Sequence, residues 1–309
     1  MTIDDFGGPE ALRPAELPEP TPGAGEVLVE LAAAGVNPLD VKMRDGSSGK
    51  VKGWSAAAFP AILGREGVGR VIAVGAEVSG FSPGDRVIGM LELDDPSGCY
   101  AEYVCFPAAG LARIDDELPT PVAAGLSLAG LTAWAAVHEH ARVQADDIVL
   151  VQGGGGGTGQ LIVQLAVAAG AQVWATASAR HGERITGYGA HHIAYSREDW
   201  RAVMPRPSVI IDTVYSDVYE PELAQLADGG RLIILPTLAD LEPARRRGID
   251  AQIVSISPDG QRLTKLAELV ISGQLDVHVA ATYPLEQVAE AHRLVAAGHA
   301  GGKVILTIN

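Results

Sequence analysis

A chain of 309 residues is longer than one hydrophobic core usually serves and calls for two domains or one elaborated α/β unit. Its formal charge of −15 repels phosphate backbones and anionic lipid surfaces, which excludes nucleic acid and membrane as partners. Only Cys99 and Cys105 are present, the start MTIDDFGGPE lacks the charged-then-apolar order of a signal peptide, and no run of about 18 apolar residues is free of glycine and charge, so a soluble cytoplasmic protein is expected.

In chain order, residues 1–118 show short β-type runs, EVLVELAAAG, GRVIAVG and DRVIGML, separated by Pro, Gly and Asp clusters that favour turns. Pro119 and Pro121 then open VAAGLSLAGLTAWAAVHEHA, whose apolar spacing predicts one long helix between two domains. From Ile148 the pattern alternates: strand IVLVQG, helix TGQLIVQLAVAAG, strand QVWATAS, a polar helix over residues 180–188 and strand HHIAYS. Strand SVIIDTV, a helix near PELAQLADGG, strands RLIILPT and AQIVSIS and the helical stretch DGQRLTKLAELVISG follow. Six strands in this rhythm predict an α/β fold with a doubly wound parallel sheet. Arg245, Arg246 and Arg247 read as a solvated loop. The closing GGKVILTIN is a strand with no following partner, so it is expected to return to the N-terminal β-rich domain, giving one domain from residues 1–118 with 275–309 and another from 119–274.

The strongest functional signal is the run from residue 153 to residue 159. Gly154, Gly156 and Gly159 satisfy the G-x-G-x-x-G spacing between a predicted strand and a predicted helix, with Gly157 and Thr158 completing the turn. The first glycine suits a tight turn, the second a close approach to a pyrophosphate, the third the packing of helix on strand, and the helix N-terminus offers N–H groups to the phosphates. An NAD site would end its second strand in a carboxylate that bonds the ribose 2′-OH. Here that strand ends Thr176, Ala177, Ser178, Ala179, Arg180, and a hydroxyl with a guanidinium suits a 2′-phosphate, so NADPH is the expected cofactor. Thr213 and Leu235 follow the fourth and fifth strands, where a doubly wound sheet forms its ligand crevice.

The stretches AAAGVNPLDVKMRDG, FPAILGREGVGRVIAVGAEVSGFSPGDRVIG, GCYAEYV, LAGLTAW, GGGGTGQLIVQLA, VIIDTV, LADGGRLIIL and GGKVIL, in this order, resemble the zinc-independent quinone oxidoreductase branch of the medium-chain dehydrogenase/reductase superfamily over nearly the whole chain. The resemblance implies a GroES-like β-barrel catalytic domain built from both chain ends, a Rossmann domain within it, a substrate cleft at their junction and a homodimer joined through the AQIVSIS edge strand. It places Asn37 beside the nicotinamide ribose, with Thr132, Tyr195 and Lys303 as further cofactor contacts, Tyr195 near the 2′-phosphate. Asp40 is a candidate catalytic residue and equally a structural partner for Lys42 or Arg44. Where zinc-dependent relatives carry their cysteine and Gly-His-Glu ligand positions, this chain reads Gly35-Val36-Asn37 and Gly64-Arg65-Glu66, and two cysteines cannot supply a structural zinc lobe, so no metal is expected. Without a Lewis acid, hydride addition to a conjugated acceptor is favoured over alcohol oxidation. The implied activity is NADPH-dependent reduction of a quinone or α,β-unsaturated carbonyl. The alternatives are an enoyl reductase on a carrier-bound or biosynthetic intermediate and a non-enzymatic, crystallin-like NADPH-binding protein. Two departures stand out: Tyr215 and Ser216 replace the Gly-Gly pair of many relatives, and residues 46–60, with Lys50, Lys52 and Trp54, match no family pattern.

Overall fold

Eleven residues from Glu26 to Val36, bulky and β-branched in their first half and small in their second, form the longest strand of the computed structural model, which describes residues 1–215, 219–235 and 239–308. In chain order the first elements are β1 (Thr2–Ile3), this strand β2, helix α1 (Pro38–Arg44), β3 (Ala61–Ile62), β4 (Glu66–Val74), β5 (Arg86–Met90), β6 (Tyr103–Pro107), β7 (Leu111–Arg113), α2 (Thr120–Ala124) and α3 (Ser127–Trp134). Then come β8 (Ile148–Gln152), α4 (Gly159–Ala168), β9 (Gln172–Ala177), α5 (Gly182–Gly187), β10 (His191–Ala194), α6 (Trp200–Val203), β11 (Val209–Asp212), α7 (Tyr219–Gln225), β12 (Arg231–Ile234), α8 (Glu242–Arg246) and β13 (Asp250–Ile253). Helix α9 (Gly260–Ile271), β14 (Val279–Pro284), α10 (Val288–Ala296) and β15 (Lys303–Thr307) close the chain.

These elements form two compact units, Met1–Leu131 with Ser257–Asn309, and Thr132–Ile256. In the first, β2 pairs with β4, β6 and β15, and the sheet runs β14-β15-β2-β4-β5-β7. The closing strand therefore does return to the N-terminal sheet, Val304 opposite Val36 and Leu306 opposite Ala34. Its side chains join Val27, Val29, Leu31, Val71, Val87 and Phe106 in one buried cluster. In the second unit six parallel strands run in the order β10-β9-β8-β11-β12-β13. Their sequences are near-continuous apolar runs, as strands covered on both faces require. The order reverses at β8, which places the ligand crevice of such a sheet at the carboxyl ends of β8, β9, β11 and β12. β13 is the edge strand.

Three expectations are corrected. The single helix expected after Pro119 is broken at Gly125, where an added Cβ would stand 3.2 Å from both Lys303 Cβ and Ile305 Cδ1, so the close packing against β15 separates α2 from α3. The chain then widens into a π-type segment at Ala135–His140. Residues 119–131 and α9, expected in the dinucleotide-binding domain, belong to the first unit. The reason is again proximity, since a Cβ on Gly260 would lie 2.0 Å from Leu111 O at the start of β7. The arginine run is the end of α8 rather than a loop, with Arg245 paired to Glu242 and Arg247 to Glu220. Among the described residues, no helix is long and apolar enough to cross a membrane.

Because Leu306 is fully buried between β14 and β2, Leu306→Ala is expected to destabilise the protein by about 2–5 kcal/mol, the usual range for opening a cavity of that size. Urea unfolding measures it; a change below about 1 kcal/mol would mean the C-terminal strand does not close this core.

Candidate functional site

In the second unit, β8 runs into a turn whose backbone leaves no room for side chains. Gly153 has a φ of +76°, and a Cβ on it would meet Thr213 Oγ1 at 2.3 Å. One on Gly154 would meet Ala175 Cβ at 2.7 Å, and one on Gly159 would come within 2.2 Å of Gly153 O. The tight turn is thus made by Gly153, while Gly154 packs on the neighbouring strand and Gly159 lets α4 approach β8. Gly156 differs: an added Cβ would touch only Gly153 O, at 3.4 Å, an ordinary contact. The protein's own packing does not require glycine there, whereas a phosphate approaching the backbone would. With Gly157 and Thr158 leading into α4, the positive end of the helix dipole faces the same place, while Gln160 N and Leu161 N donate to Gly156 O and Thr158 O.

A layer of polar side chains that spacing alone does not reveal supports this turn. Thr176 Oγ1 accepts from Gly153 N (3.1 Å) and donates to Gln152 Oε1 (2.6 Å). Thr213 Oγ1 donates to Gln152 O (2.8 Å). Arg184 Nη2 donates to Gly155 O (2.9 Å), and the His181 ring flanks Gly155.

At the tip of β9, Ser178 is half-buried and Arg180 is exposed, its Nε donating to His181 Nε2 at 3.2 Å. Because β10 pairs with β9 in register, Ala194 opposite Ala177, Tyr195 emerges beside the same tip and is 56% exposed. Ser178, Arg180 and Tyr195 are therefore brought together, and the strand tip carries no carboxylate. Thr213 and Leu235 stand half-buried just beyond β11 and β12, and Thr132 is half-buried on α3. Tyr215 adopts a left-handed φ of +61°, a backbone shape natural to glycine; Ser216 lies outside the described residues.

In the first unit, Asn37, Asp40 and Lys303 are brought together around Glu66. Lys303 Nζ donates to Glu66 Oε1 (2.8 Å) and Asn37 Oδ1 (2.5 Å), Asn37 Nδ2 donates to Glu66 Oε1 (2.9 Å), and Leu128 N donates to Glu66 Oε2 (2.7 Å). Lys303 is 3% exposed and Glu66 not at all, so this is a buried ion pair with its carboxylate fully engaged. Gly35 makes room for it, since a Cβ there would stand 2.3 Å from Glu66 Oε1. Asn37 Oδ1 also takes part in the capping box with Asp40 N, which leaves one amide hydrogen for a further partner.

Asp40 pairs with neither Lys42 nor Arg44. Its Oδ2 accepts from Asn37 N at 2.8 Å, the reciprocal bond that starts α1, while Arg44 turns to Gly7 O and to His292 Nδ1. Complete burial raises the Asp40 carboxyl to about 6, against the opposing field of Arg65. The neighbouring His292 imidazole is lowered to about 3, by burial and by Arg44, and is neutral. Arg65 is fully buried and donates to the carbonyls of Glu92 (3.1 Å), Asp95 (2.7 Å), Ile62 (3.2 Å) and Ser97. Its guanidinium thus fastens the 92–97 segment to β3. Residues 46–60 are closed by an aromatic trio, Phe6 facing Trp54 at 6.2 Å and Phe59 at 5.3 Å, with Trp54 Nε1 donating to Asp94 O (2.8 Å). Among the described residues no three His, Cys, Asp or Glu side chains are grouped to hold a metal.

A discontinuous barrel-type sheet and a doubly wound nucleotide-binding sheet in one chain define the medium-chain dehydrogenase/reductase architecture. Residues 23–116 match the alcohol dehydrogenase GroES-like domain family and residues 188–306 the zinc-binding dehydrogenase family. The quinone oxidoreductase of Coxiella burnetii is 32% identical, covers 100% of this chain and 98% of its own, and superposes with a TM-score of 0.93. The Escherichia coli quinone oxidoreductase, solved in complex with NADPH, is 25% identical over 99% of each chain with a TM-score of 0.86. A mycocerosic acid synthase-like polyketide synthase of Mycobacterium tuberculosis is 32% identical over 93% of this chain, which corresponds to 14% of that protein. The chain belongs to the quinone oxidoreductase branch of the medium-chain dehydrogenase/reductase superfamily.

Two outcomes follow from the first-unit cluster. Lys303→Met leaves Glu66 a buried carboxylate without its cation and is expected to cost about 3–5 kcal/mol, with Glu66→Gln added to it recovering part of the loss. Additive losses in the double-mutant cycle would contradict the coupling. For Asp40, the folded state keeps its proton up to about pH 6 while the unfolded chain loses it near 3.8, so this group makes stability fall as pH rises through that window. Asp40→Asn is expected to flatten the stability profile between about pH 4 and 7 by roughly 2–3 kcal/mol, measured by urea unfolding at each pH; an unchanged slope would refute the burial argument.

Proposed function

We propose that the chain is an NADPH-dependent, zinc-independent reductase that transfers hydride to a quinone or an α,β-unsaturated carbonyl. The observation that carries this reading is the glycine turn, open at Gly156 and followed by a strand tip where Ser178 and Arg180 stand in place of a carboxylate.

The backbone of Gly154, Gly156, Gly157, Thr158 and Gly159 holds the pyrophosphate, and Ser178, Arg180 and Tyr195 hold the 2′-phosphate by hydrogen bonds and charge. Thr132, Thr213 and Leu235 hold the nicotinamide end. Lys303 and Glu66 fix the Asn37 amide on both its atoms and so preset its orientation. NADPH supplies the hydride. Asp40, hydrogen-bonded to Asn37 N and buried, sets the start of α1 and hence the placement of Asn37.

Zinc-independence is supported by what occupies the corresponding positions. An amide at residue 37 held by Lys303, and a buried guanidinium at residue 65 already engaged with four carbonyls, give a dication neither a ligand nor a favourable field. A conjugated acceptor spreads the charge that develops on hydride addition and needs no Lewis acid, which favours quinones and enones over alcohols. The polyketide synthase match favours a second reading, reduction of a carrier-bound enoyl thioester by the same site. The exposed edge of β13 suits sheet-to-sheet pairing in a homodimer, and two free cysteines suit a reducing cytoplasm.

NADPH is expected to be oxidised in the presence of a quinone or an enone, followed by loss of its absorbance. Binding without turnover on free quinones, free enones or enoyl thioesters would leave a non-enzymatic NADPH-binding protein. Arg180→Ala is expected to weaken NADPH about ten-fold or more, near 1.4 kcal/mol, while changing NADH binding less than about two-fold. Equal effects on both nucleotides would remove Arg180 from the 2′-phosphate.

A further inference from the structure

Two carboxyl groups lie side by side beneath the carboxyl edge of the Rossmann sheet. Asp212, the last residue of β11, is completely buried, and its Oδ1 accepts from Val214 N (2.7 Å) and Tyr215 N (2.8 Å), with Tyr215 N also 3.0 Å from Oδ2. These bonds hold the 213–215 turn, including the left-handed Tyr215. Tyr215 in turn accepts from Asp240 N through its hydroxyl (2.9 Å), and Tyr219 donates to Asp240 O (2.7 Å), the two rings 5.0 Å apart. The turn after β11 and the segment around Asp240 are thereby tied to one another.

Glu222, on the buried face of α7, is also completely buried, and the polar side chains facing it are Asp212 from β11 and Gln152 from β8. Apart from Asp212 and Gln152, no hydrogen-bond partner reaches either Glu222 oxygen, and among the described residues no ion pair reaches either carboxyl. Tyr219, Glu222, Leu223 and Leu226 share the spacing of a buried helical face, three of them apolar or aromatic. A leucine would fill the fourth place without desolvating a carboxyl, so stability alone does not account for an acid there.

Two adjacent, completely buried carboxylates with no cation paired to either do not both ionise. Burial first, and then Asp212, push Glu222 well above the usual carboxylate range. Burial also raises Asp212, but the N–H groups of Tyr215 and Val214 favour its charged form. The proton therefore resides on Glu222.

We propose that Glu222 is a positioning residue: as a neutral carboxylic acid it donates its proton to the Asp212 carboxylate, and the pair holds the 213–215 turn in the shape that receives the nicotinamide end of the cofactor. This rests on the NADPH reading above. Gln152 extends the same buried set to the glycine turn, because its Oε1 accepts from Thr176, which accepts from Gly153 N.

The experiment compares Glu222→Gln, which keeps a neutral donor, with Glu222→Leu, which keeps volume and removes it. NADPH is titrated into each full-length protein, and KM for NADPH and kcat are measured with whichever acceptor the wild type uses. Glu222→Gln is expected to bind NADPH within about two-fold of wild type, and Glu222→Leu to bind it about ten-fold more weakly, with KM raised more than kcat is lowered and thermal stability at or above wild type. Wild-type binding by Glu222→Leu, or equal weakening by both variants, would overturn the proposal. Wild-type protein that does not bind NADPH at all would instead overturn the cofactor reading. Should Glu222→Leu not fold, infrared spectroscopy of the cofactor-free protein at mildly alkaline pH decides: a protonated-carboxyl C=O band present in wild type and missing from Glu222→Gln supports the shared proton, and its absence from wild type contradicts it.

Discussion

The oxygen of Gly153 stands so near Gly159 that one added methyl group would close to 2.2 Å, and the carboxyl edge of the Rossmann sheet is organised around that approach. With α4 drawn against β8, the positive end of the helix dipole lies at the turn. The same tightness pulls polar groups underneath. Gly153 N must be satisfied, and Thr176 accepts from it; Thr176 must be fixed, and Gln152 accepts from it; Gln152 then faces Glu222 and Asp212, which shape the next turn along the edge. The glycine turn and the buried acid pair thus meet at Gln152.

The first unit carries its own constraint, the buried lysine of the final strand. Lys303 reaches Glu66 on β4 and Asn37 at the start of α1, so residues far apart in sequence close one polar cluster inside a sheet of apolar side chains. A buried ion pair of this kind contributes little net stability but strongly penalises the loss of either partner, and it orients what it touches. Here it orients an amide. Arg65, next to Glu66 in sequence, binds four carbonyls and so is itself a fixed cation.

What could be read from the sequence was what local rules govern. The six strands of the nucleotide unit, the glycine turn between β8 and α4 and the return of β15 to β2 follow from runs of apolar residues and turn chemistry a few residues long, while the edge position of β13 is implied by the family resemblance. Neighbouring strands in register also bring Tyr195 to the tip of β9. What could not be read depends on contacts between distant residues. The break at Gly125 exists because β15 passes there, α9 joins the first unit because Gly260 meets Leu111, and Glu66 acquires its role only when Lys303 arrives from the other end of the chain. Glu222 left a faint local signal, an acid on an otherwise apolar helical face, but its partner Asp212 lies on another element. Tyr215 could be recognised as a departure from the family pattern, while its left-handed backbone and hold on Asp240 are visible only in three dimensions.

The central claim is that this chain binds NADPH on its glycine turn and passes hydride to a conjugated acceptor. The direct measurement is isotopic: NADPH carrying deuterium at nicotinamide C4, prepared as each of the two epimers, is incubated with the protein and an enone, and the product is analysed by mass spectrometry and NMR. Deuterium at the carbon β to the carbonyl, from one epimer only, is the result expected of enzymatic hydride transfer. Reduced product without deuterium from either epimer, or no reduction of any conjugated acceptor by protein that demonstrably holds NADPH, would contradict it.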